Sequence, residues 1–380
     1  MSRKKVAVLG STGSIGKSSL DVIRKYSSML ELSAISCHTN AELLEKQARE
    51  FSPRFAAVSG LDRVQQDIFG GTKTGCGEEA LLEACEGADI VVLAIVGMAA
   101  LRPFEFCLKN DIPVALANKE SLVCGGRLIR DIMDRRGSQV LPVDSETFAI
   151  SECISRRKRA EIRSVLLTAS GGPFRTASEE VIRNATPEMA LAHPNWAMGK
   201  KISVDCATMI NKGLEIMETR WLFDIDPSRI RVVVHPESIV HSMAEFTDHS
   251  IMAHMAVADM RLPIAGALLS PEIPVNAVGR LNLFEVGALH FEAPAIKRFP
   301  CLGLAYEAIN NEGIMPIVLN AANEVAVQKF LNREFPMGGI FDMVSSAMDK
   351  FGNGPVGTLD EVFEIDKTVR EYCTAIGGIQ

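Results

Sequence analysis

Over roughly the first 140 residues, short apolar runs alternate with segments whose apolar positions recur at helical spacing. Residues 6–9, 32–36, 55–58, 90–96, 113–117 and 139–143 read as strands, and 15–25, 41–50, 77–85 and 124–136 as the helices between them. Such alternation implies a parallel sheet covered on both faces. From about Asp144 the pattern changes. Residues 164–168, 231–234, 239–246 and 251–255 read as strands, the last two joined as a hairpin through 247–250. Between the first two lie a Gly/Pro-punctuated loop, 171–199, and a helix over 207–221. Residues 263–291, with several prolines and glycines, read as a connector. Four helical patterns follow, at 302–311, 316–332, 338–350 and 359–376. Thr358 and Glu361 have the spacing of a capping box for the last, and Leu359, Val362, Phe363, Val369, Tyr372 and Ile376 form its apolar stripe.

Composition narrows the function. A chain of 380 residues is long enough for two or three domains, and its 47 % hydrophobic content supplies their cores. The net charge of −7 argues against a nucleic-acid partner, which needs a cationic field. The one basic run, Arg156-Arg157-Lys158-Arg159, reads as a solvated helix face. Nine scattered cysteines without a Cys-x-x-Cys pair offer neither a zinc knuckle nor a disulfide framework, which points to a reducing compartment. The longest largely apolar stretch, 90–101, falls short of the roughly 18 residues that span a bilayer, and 6–9 is too short for a signal-peptide core. A cytoplasmic protein without a membrane partner is expected.

Gly10-Ser-Thr-Gly13-Ser-Ile-Gly16 directly follows the first strand and opens a helix. Glycines there let the backbone approach a pyrophosphate, while N–H groups at the helix start receive its charge. The spacing is G-x-x-G-x-x-G, and the strand–turn–helix context makes a dinucleotide loop the better reading. Residues 11–18 nearly match a phosphate-binding loop of the nucleotide kinases, but Ser11 stands where its first glycine should be. The second strand ends Cys37-His38-Thr39-Asn40, without the acidic residue that grips the ribose of NAD, so NADP is favoured. Asn118-Lys119-Glu120 follows another strand at the ligand-binding edge of such a sheet.

Asp144-Ser145-Glu146 also follows a strand. In an extended chain residues i and i+2 share a face, so both carboxylates can converge on one hard cation such as Mg²⁺ or Mn²⁺. Asn211, Lys212 and Glu215 sit at helical spacing and share a face, which suits a metal beside an anionic substrate. Ser170-Gly171-Gly172-Pro173 and His193–Gly199 belong to the long loop, where Trp196 between Pro194 and Gly199 reads as part of a lid. Each carboxylate pattern on its own also describes an ordinary solvated face.

Gly10–Gly16, Asn118–Ser121, Asp144–Glu146, Ser170–Phe174, His193–Gly199, Lys201–Asp205, Asn211–Glu215 and His235-Pro236, in this order, resemble the 1-deoxy-D-xylulose 5-phosphate reductoisomerases of non-mevalonate isoprenoid synthesis. The resemblance implies an α/β fold with three parts: an N-terminal Rossmann-like NADPH domain (1–144), a central α+β catalytic and dimerisation domain with a flap (145–265), and, after a linker (266–290), a C-terminal helical bundle (291–380). It implies a homodimer that takes a small phosphorylated sugar and uses NADPH with Mg²⁺ or Mn²⁺, Co²⁺ being a further candidate. By similarity, Asp144, Glu146 and Glu215 hold the metal. Thr12, Gly13, Ser14, Ile15, Asn40, Asn118, Glu120 and the backbone at Gly199 contact NADPH. Lys119, Ser145, Glu146, Ser170, His193, Cys206, Asn211, Lys212 and Glu215 surround the substrate, and Trp196 belongs to the flap.

There are departures from the family pattern. Cys206 replaces the usual Ser, Thr147 and Phe148 follow the metal motif where His is common, and Glu237 stands where Gln is frequent. Three competing readings are a nucleotide kinase, a semialdehyde-type reductase with Cys124 or Cys153 as nucleophile, and a noncatalytic protein that senses NADPH.

Overall fold

The computed structural model describes residues 3–63, 69–192 and 199–376. The chain divides into two compact units. The first comprises Met1–Ser121, Ile129–Phe148 and Asp259–Gly279, and the second the remainder.

The first unit is built on seven strands: β1 Lys4–Leu9, β2 Leu30–Cys37, β3 Phe55–Val58, β4 Lys73–Cys76, β5 Ile90–Leu93, β6 Val114–Leu116 and β7 Val140–Pro142. They lie in the order β4-β3-β2-β1-β5-β6-β7, and every pair is parallel. The apolar runs mark strands covered on both faces; Val6 to Leu9 and Phe55 to Val58 are fully buried. Chain order reverses between β1 and β5, and such a switch point opens a crevice at the carboxyl edge. Two elements go beyond the sequence reading. The strand β4, Lys-Thr-Gly-Cys, lies at the sheet edge with only Thr74 buried, so it carries no apolar signature. The helix Leu101–Lys109 carries Pro103 in its first turn, where a missing N–H costs nothing.

The connector expected over 263–291 opens instead with the helix Arg261–Leu269. Its Ile264 and Leu268 join the core that also holds Val6, Val8 and Ile35. Lys4 Nζ donates to the carbonyls of Leu268 (2.9 Å) and Ser270 (3.1 Å), tying the end of that helix to β1.

The second unit has a four-stranded sheet, β8 Ile162–Ala169, β9 Ile230–Val234, β10 Val240–Phe246 and β11 Ile251–Met255, in the order β11-β10-β8-β9. The expected hairpin is the antiparallel β10–β11 pair, while β8 and β9 run parallel. The long loop carries two short helices, Glu179–Arg183 and Pro187–Leu191. The helix expected at 207–221 runs from Ile210 to Phe223, and an unexpected helix, Lys200–Ala207, precedes it, with Met209 at φ +62° between the two. Four C-terminal helices, Pro300–Asn311, Met315–Leu331, Gly338–Phe351 and Leu359–Ala375, complete the unit as a bundle. Thr358 caps the last by accepting from Glu361 N at 3.2 Å, but the Glu361 carboxylate turns to the N–H of Gly357, so only half the capping box forms. The basic run at 156–159 lies on an exposed turn after the helix Ser145–Ile154, not on a helix face.

His254 on β11 titrates far below its ordinary value of 6.5, at about 4, because burial disfavours its charge and His241 repels it. A base with a depressed folded pKa stabilises the fold fully above pH 6.5, and that contribution is lost as pH falls through 4. Between those limits the loss amounts to about 2–3 kcal/mol. Paired urea titrations at pH 7, 5 and 4 should therefore show a shallower acid limb for His254→Gln than for the natural chain; identical slopes would refute the assignment.

Candidate active site

The turn after β1 is shaped by backbone contacts. Gly10 has φ +89°, and a Cβ there would lie 2.5 Å from the carbonyl oxygen of Ala94. A Cβ on Gly16 would collide with the Gly10 carbonyl and the Ser11 backbone. Gly10 N–H donates to Ser36 Oγ at 2.9 Å. Buried Ser11 donates to Gln47 Oε1 at 2.6 Å, and Gln47 Nε2 returns a bond to the Ser11 carbonyl at 2.9 Å. This serine is therefore a strut between the turn and the helix Ala41–Phe51, which explains why it is not the glycine of a kinase loop. Among the described residues no side chain caps the helix Ser14–Lys25, leaving its first-turn N–H groups for an anion, and Gly13 and Ser14 are exposed.

His38, Thr39 and Asn40 lie exposed at the end of β2. Asn40 Oδ1 accepts from Leu43 N at 3.1 Å as a helix cap, and His38 Nδ1 meets Ser59 Oγ at 3.1 Å. Asn118 is buried and clamps two loops: Oδ1 accepts from Ser121 N (2.8 Å), while Nδ2 reaches the carbonyls of Ile95 (2.8 Å) and Gly97 (3.1 Å) and Glu120 Oε2 (3.1 Å).

Lys119 Nζ lies 2.6 Å from Asp144 Oδ2 in a largely buried pair. Asp144 precedes a helix instead of lying in an extended segment, since its carbonyl accepts from Phe148 N at 2.9 Å. The two carboxylates are therefore not the extended i, i+2 pair expected after a strand. Cap and first-turn side chains both meet the positive end of the helix. Carboxylate oxygens of Asp144 and Glu146 still come within 4.8 Å of each other. Ser145 Oγ donates to Glu146 Oε2 at 2.6 Å. Two anions this close repel by on the order of 3 kcal/mol at an effective dielectric of 20, and a hard divalent cation would reverse that sign. The donor set thus fits Mg²⁺ or Mn²⁺.

In the second unit, Asn211, Lys212 and Glu215 share a buried face of the helix Ile210–Phe223. Glu215 is 1 % exposed, accepts from Asn211 Nδ2 at 2.6 Å and pairs with Lys212 Nζ. Close helix packing puts them there: a Cβ on Gly213 would overlap Ala305 of the neighbouring helix. Ser170, Gly172, Pro173, Arg175, Met189 and Pro236 line a 570 Å³ cleft. Ser170 Oγ accepts from Gly172 N at 3.2 Å. Gly172, at φ +65°, packs on the helix that carries half-buried Cys206; a Cβ there would lie 2.9 Å from the Cys206 carbonyl. Gly199 opens that helix and is exposed. His193 and Trp196 lie outside the described residues.

Three family models match: 1-deoxy-D-xylulose 5-phosphate reductoisomerase over residues 6–126, its C-terminal domain over 140–223, and the DXP reductoisomerase C-terminal domain over 255–372. The reductoisomerase of Thermoanaerobacter pseudethanolicus is 43 % identical over 373 residues, 97 % of this chain and 98 % of its own. The chain belongs to the 1-deoxy-D-xylulose 5-phosphate reductoisomerase family. The reductoisomerase of Cupriavidus taiwanensis is 44 % identical, covering 98 % of this chain and 97 % of its own. Among solved structures, the Zymomonas mobilis reductoisomerase in complex with NADPH superimposes with a TM-score of 0.92 at 38 % identity, covering 98 % of this chain and 99 % of that one. A reductoisomerase in complex with NADPH, fosmidomycin and magnesium gives 0.93 at 37 % identity, with 98 % of each chain covered.

Two of the departures from the reductoisomerase pattern, at Thr147-Phe148 and at Glu237, have physical accounts. Thr147 is fully buried and Phe148 lies against Gly266, where a Cβ would be 2.6 Å from its ring, so both face the core of the first unit. Glu237 accepts from His290 through Nδ1 (2.6 Å) and N–H (3.2 Å) and lies 3.0 Å from His235 Nδ1. Burial works against its charge, but these bonds hold the carboxyl below its ordinary range. A carboxylate suits a position surrounded by donors. The semialdehyde-type reading fails on its nucleophile. Cys124 and Cys153 are buried, and burial pushes the Cys153 thiol up to about 11. Lys201 and Asp205, which bound one of the family motifs but were given no role from sequence, are paired at 3.0 Å across one helical turn.

Proposed function

We propose that this chain converts 1-deoxy-D-xylulose 5-phosphate to 2-C-methyl-D-erythritol 4-phosphate, using NADPH and a divalent cation, in isoprenoid precursor synthesis. One observation carries the reading: a single sheet edge bears both the glycine turn after β1 and the Asp144–Glu146 pair after β7. Redox cofactor and Lewis acid then serve one reaction. NADPH supplies hydride and the cation, when bound, polarises the substrate carbonyl and stabilises the negative charge left by carbon–carbon cleavage.

Asp144, Glu146 and Glu215 are the proposed metal ligands. Lys119 orients Asp144, and Asn211 with Lys212 fixes the Glu215 carboxylate. Thr12, Gly13, Ser14, Ile15, Asn40, Asn118, Glu120 and Gly199 are assigned to NADPH. Ser145, Ser170, His193, Cys206, Asn211 and Lys212 are assigned to the substrate, with Trp196 in a flap that keeps the cleaved fragments together. The active form is proposed to be a cytoplasmic homodimer, and the edge strand β11, with Ile251 and Met252 exposed, is a surface suited to a second copy. Among the described residues, no helix is long and apolar enough to cross a membrane.

The test is direct. Protein, NADPH, Mn²⁺ and 1-deoxy-D-xylulose 5-phosphate should together consume NADPH and yield the branched product, identified by mass spectrometry. Chelator should abolish turnover, Mg²⁺ or Mn²⁺ should restore it, and NADH should serve poorly. Full activity in a metal-free preparation would overturn the reading.

Position 206 gives a finer expectation. A thiol is a weak donor to phosphate, whereas a serine hydroxyl adds a hydrogen bond to a charged group worth about 1.5 kcal/mol. Cys206→Ser is expected to lower the substrate KM by up to roughly tenfold and leave the NADPH KM nearly unchanged. A raised or unaltered substrate KM would mean that Cys206 does not face the phosphate.

A further inference from the structure

Asp205 is a buried carboxylate, 1 % exposed, immediately before Cys206. A carboxylate taken out of water needs compensation. Lys201, one turn earlier on the helix Lys200–Ala207, lies 3.0 Å away. A second partner comes from the C-terminal bundle: Asn323, on the helix Met315–Leu331, donates from Nδ2 at 2.9 Å. Asn323 is fully buried, and its own Oδ1 has no hydrogen-bond partner among the described residues. An amide that leaves its carbonyl unsatisfied is a poor choice for packing alone. The donated bond explains why it is there. The Asp205 charge is also felt within the bundle, where burial, with this charge adding to it, pushes the Cys301 thiol up to about 12.

A shift at Asp205 has little slack to dissipate in. Gly172 leaves no room for even a Cβ beside the Cys206 carbonyl, so the Ser170-Gly171-Gly172 turn and the helix rest directly on each other. We infer that Asn323 is a positioning residue for the substrate pocket: its amide tethers the Asp205 carboxylate and, through it, the helix end carrying Cys206 against the Ser170 turn. The inference rests on the proposed assignment of Ser170 and Cys206 to the substrate.

Four variants of the full chain test it: Asn323→Ala, Asp205→Asn, the reversed pair Asp205→Asn/Asn323→Asp, and Ser170→Ala. Each is assayed with NADPH, Mn²⁺ and 1-deoxy-D-xylulose 5-phosphate, with thermal melting in parallel. Asn323→Ala should raise the substrate KM about tenfold, with a smaller change in kcat and none in the NADPH KM. The reversed pair re-forms one carboxylate–amide bond and should recover most of the substrate KM. A lowered Tm with unchanged substrate KM would overturn the inference, as would a folded reversed pair that recovers nothing. If Asn323→Ala does not fold, Asn323→Ser, which keeps a donor, is read by the same criteria. Ser170→Ala separates the two levels. If it leaves the substrate KM unmoved, the pocket assignment itself fails. If it raises that KM and the Asn323 variants do not, only the tether fails.

Discussion

Replacing Glu215 by Gln is expected to lower turnover by on the order of a thousandfold and to weaken Mn²⁺ binding, while NADPH affinity stays nearly intact. The side chain keeps its volume, so the packing of a position only 1 % exposed is conserved. Its amide oxygen can still accept from Asn211 or Lys212, which now hold the carboxylate. What disappears is a full negative charge. A hard cation bound by carboxylates loses both a strong ligand and part of its charge compensation, whereas the proposed dinucleotide turn belongs to the other unit. Steady-state kinetics, Mn²⁺ titration and NADPH titration on the same preparation check the three parts. Equal loss of cofactor and metal binding would place Glu215 in a structural role instead.

Gly16→Ala should cost about 2–3 kcal/mol of stability and raise the NADPH KM at least tenfold, because the added methyl would collide with the Gly10 carbonyl and the Ser11 backbone. Those atoms belong to the turn itself, and Ser11 is pinned by Gln47 and Ser36, so no flexible side chain can yield. Relief requires the helix start to move away from the turn that aims its N–H groups. Gly13→Ala is the control for stability. Its φ is −76° and its nearest obstacle, the Gly10 carbonyl, is 3.3 Å from the new Cβ. Melting curves should therefore separate the two variants clearly. Equal Tm values would show that the turn tolerates displacement.

How much of this was legible in the chain varies with the kind of signal. The doubly buried strands announced themselves because both of their faces are apolar, as in Phe55–Val58, and the α/β class followed from their alternation with amphipathic helices. The edge strand Lys73–Cys76 stayed hidden because its pairing uses backbone groups, which side-chain pattern does not record. The break at Met209 was hidden for a related reason. A left-handed φ at a non-glycine residue is imposed by the packing of the helices on either side, not by local preference. The residues 263–269 looked like a connector because Pro and Gly interrupt them, yet the helix they form packs on the helix Ser14–Lys25 and is tied at its end by Lys4, 264 residues earlier in the chain.

The candidate site shows the same division. Residue types and their order along the chain sufficed to name the family and to single out a candidate dinucleotide turn and candidate metal-binding carboxylates, because chemistry demands particular side chains in particular local settings. Geometry needed the tertiary structure. The Asp144–Glu146 pair meets at a helix start instead of along a strand, Phe148 turns into the core onto Gly266, and Asn118 spends its side chain bracing two loops. Local sequence determines which groups are available and what period they follow. Where each group points depends on neighbours remote in the chain, since burying apolar surface and satisfying every buried polar atom are conditions that only the whole fold can meet.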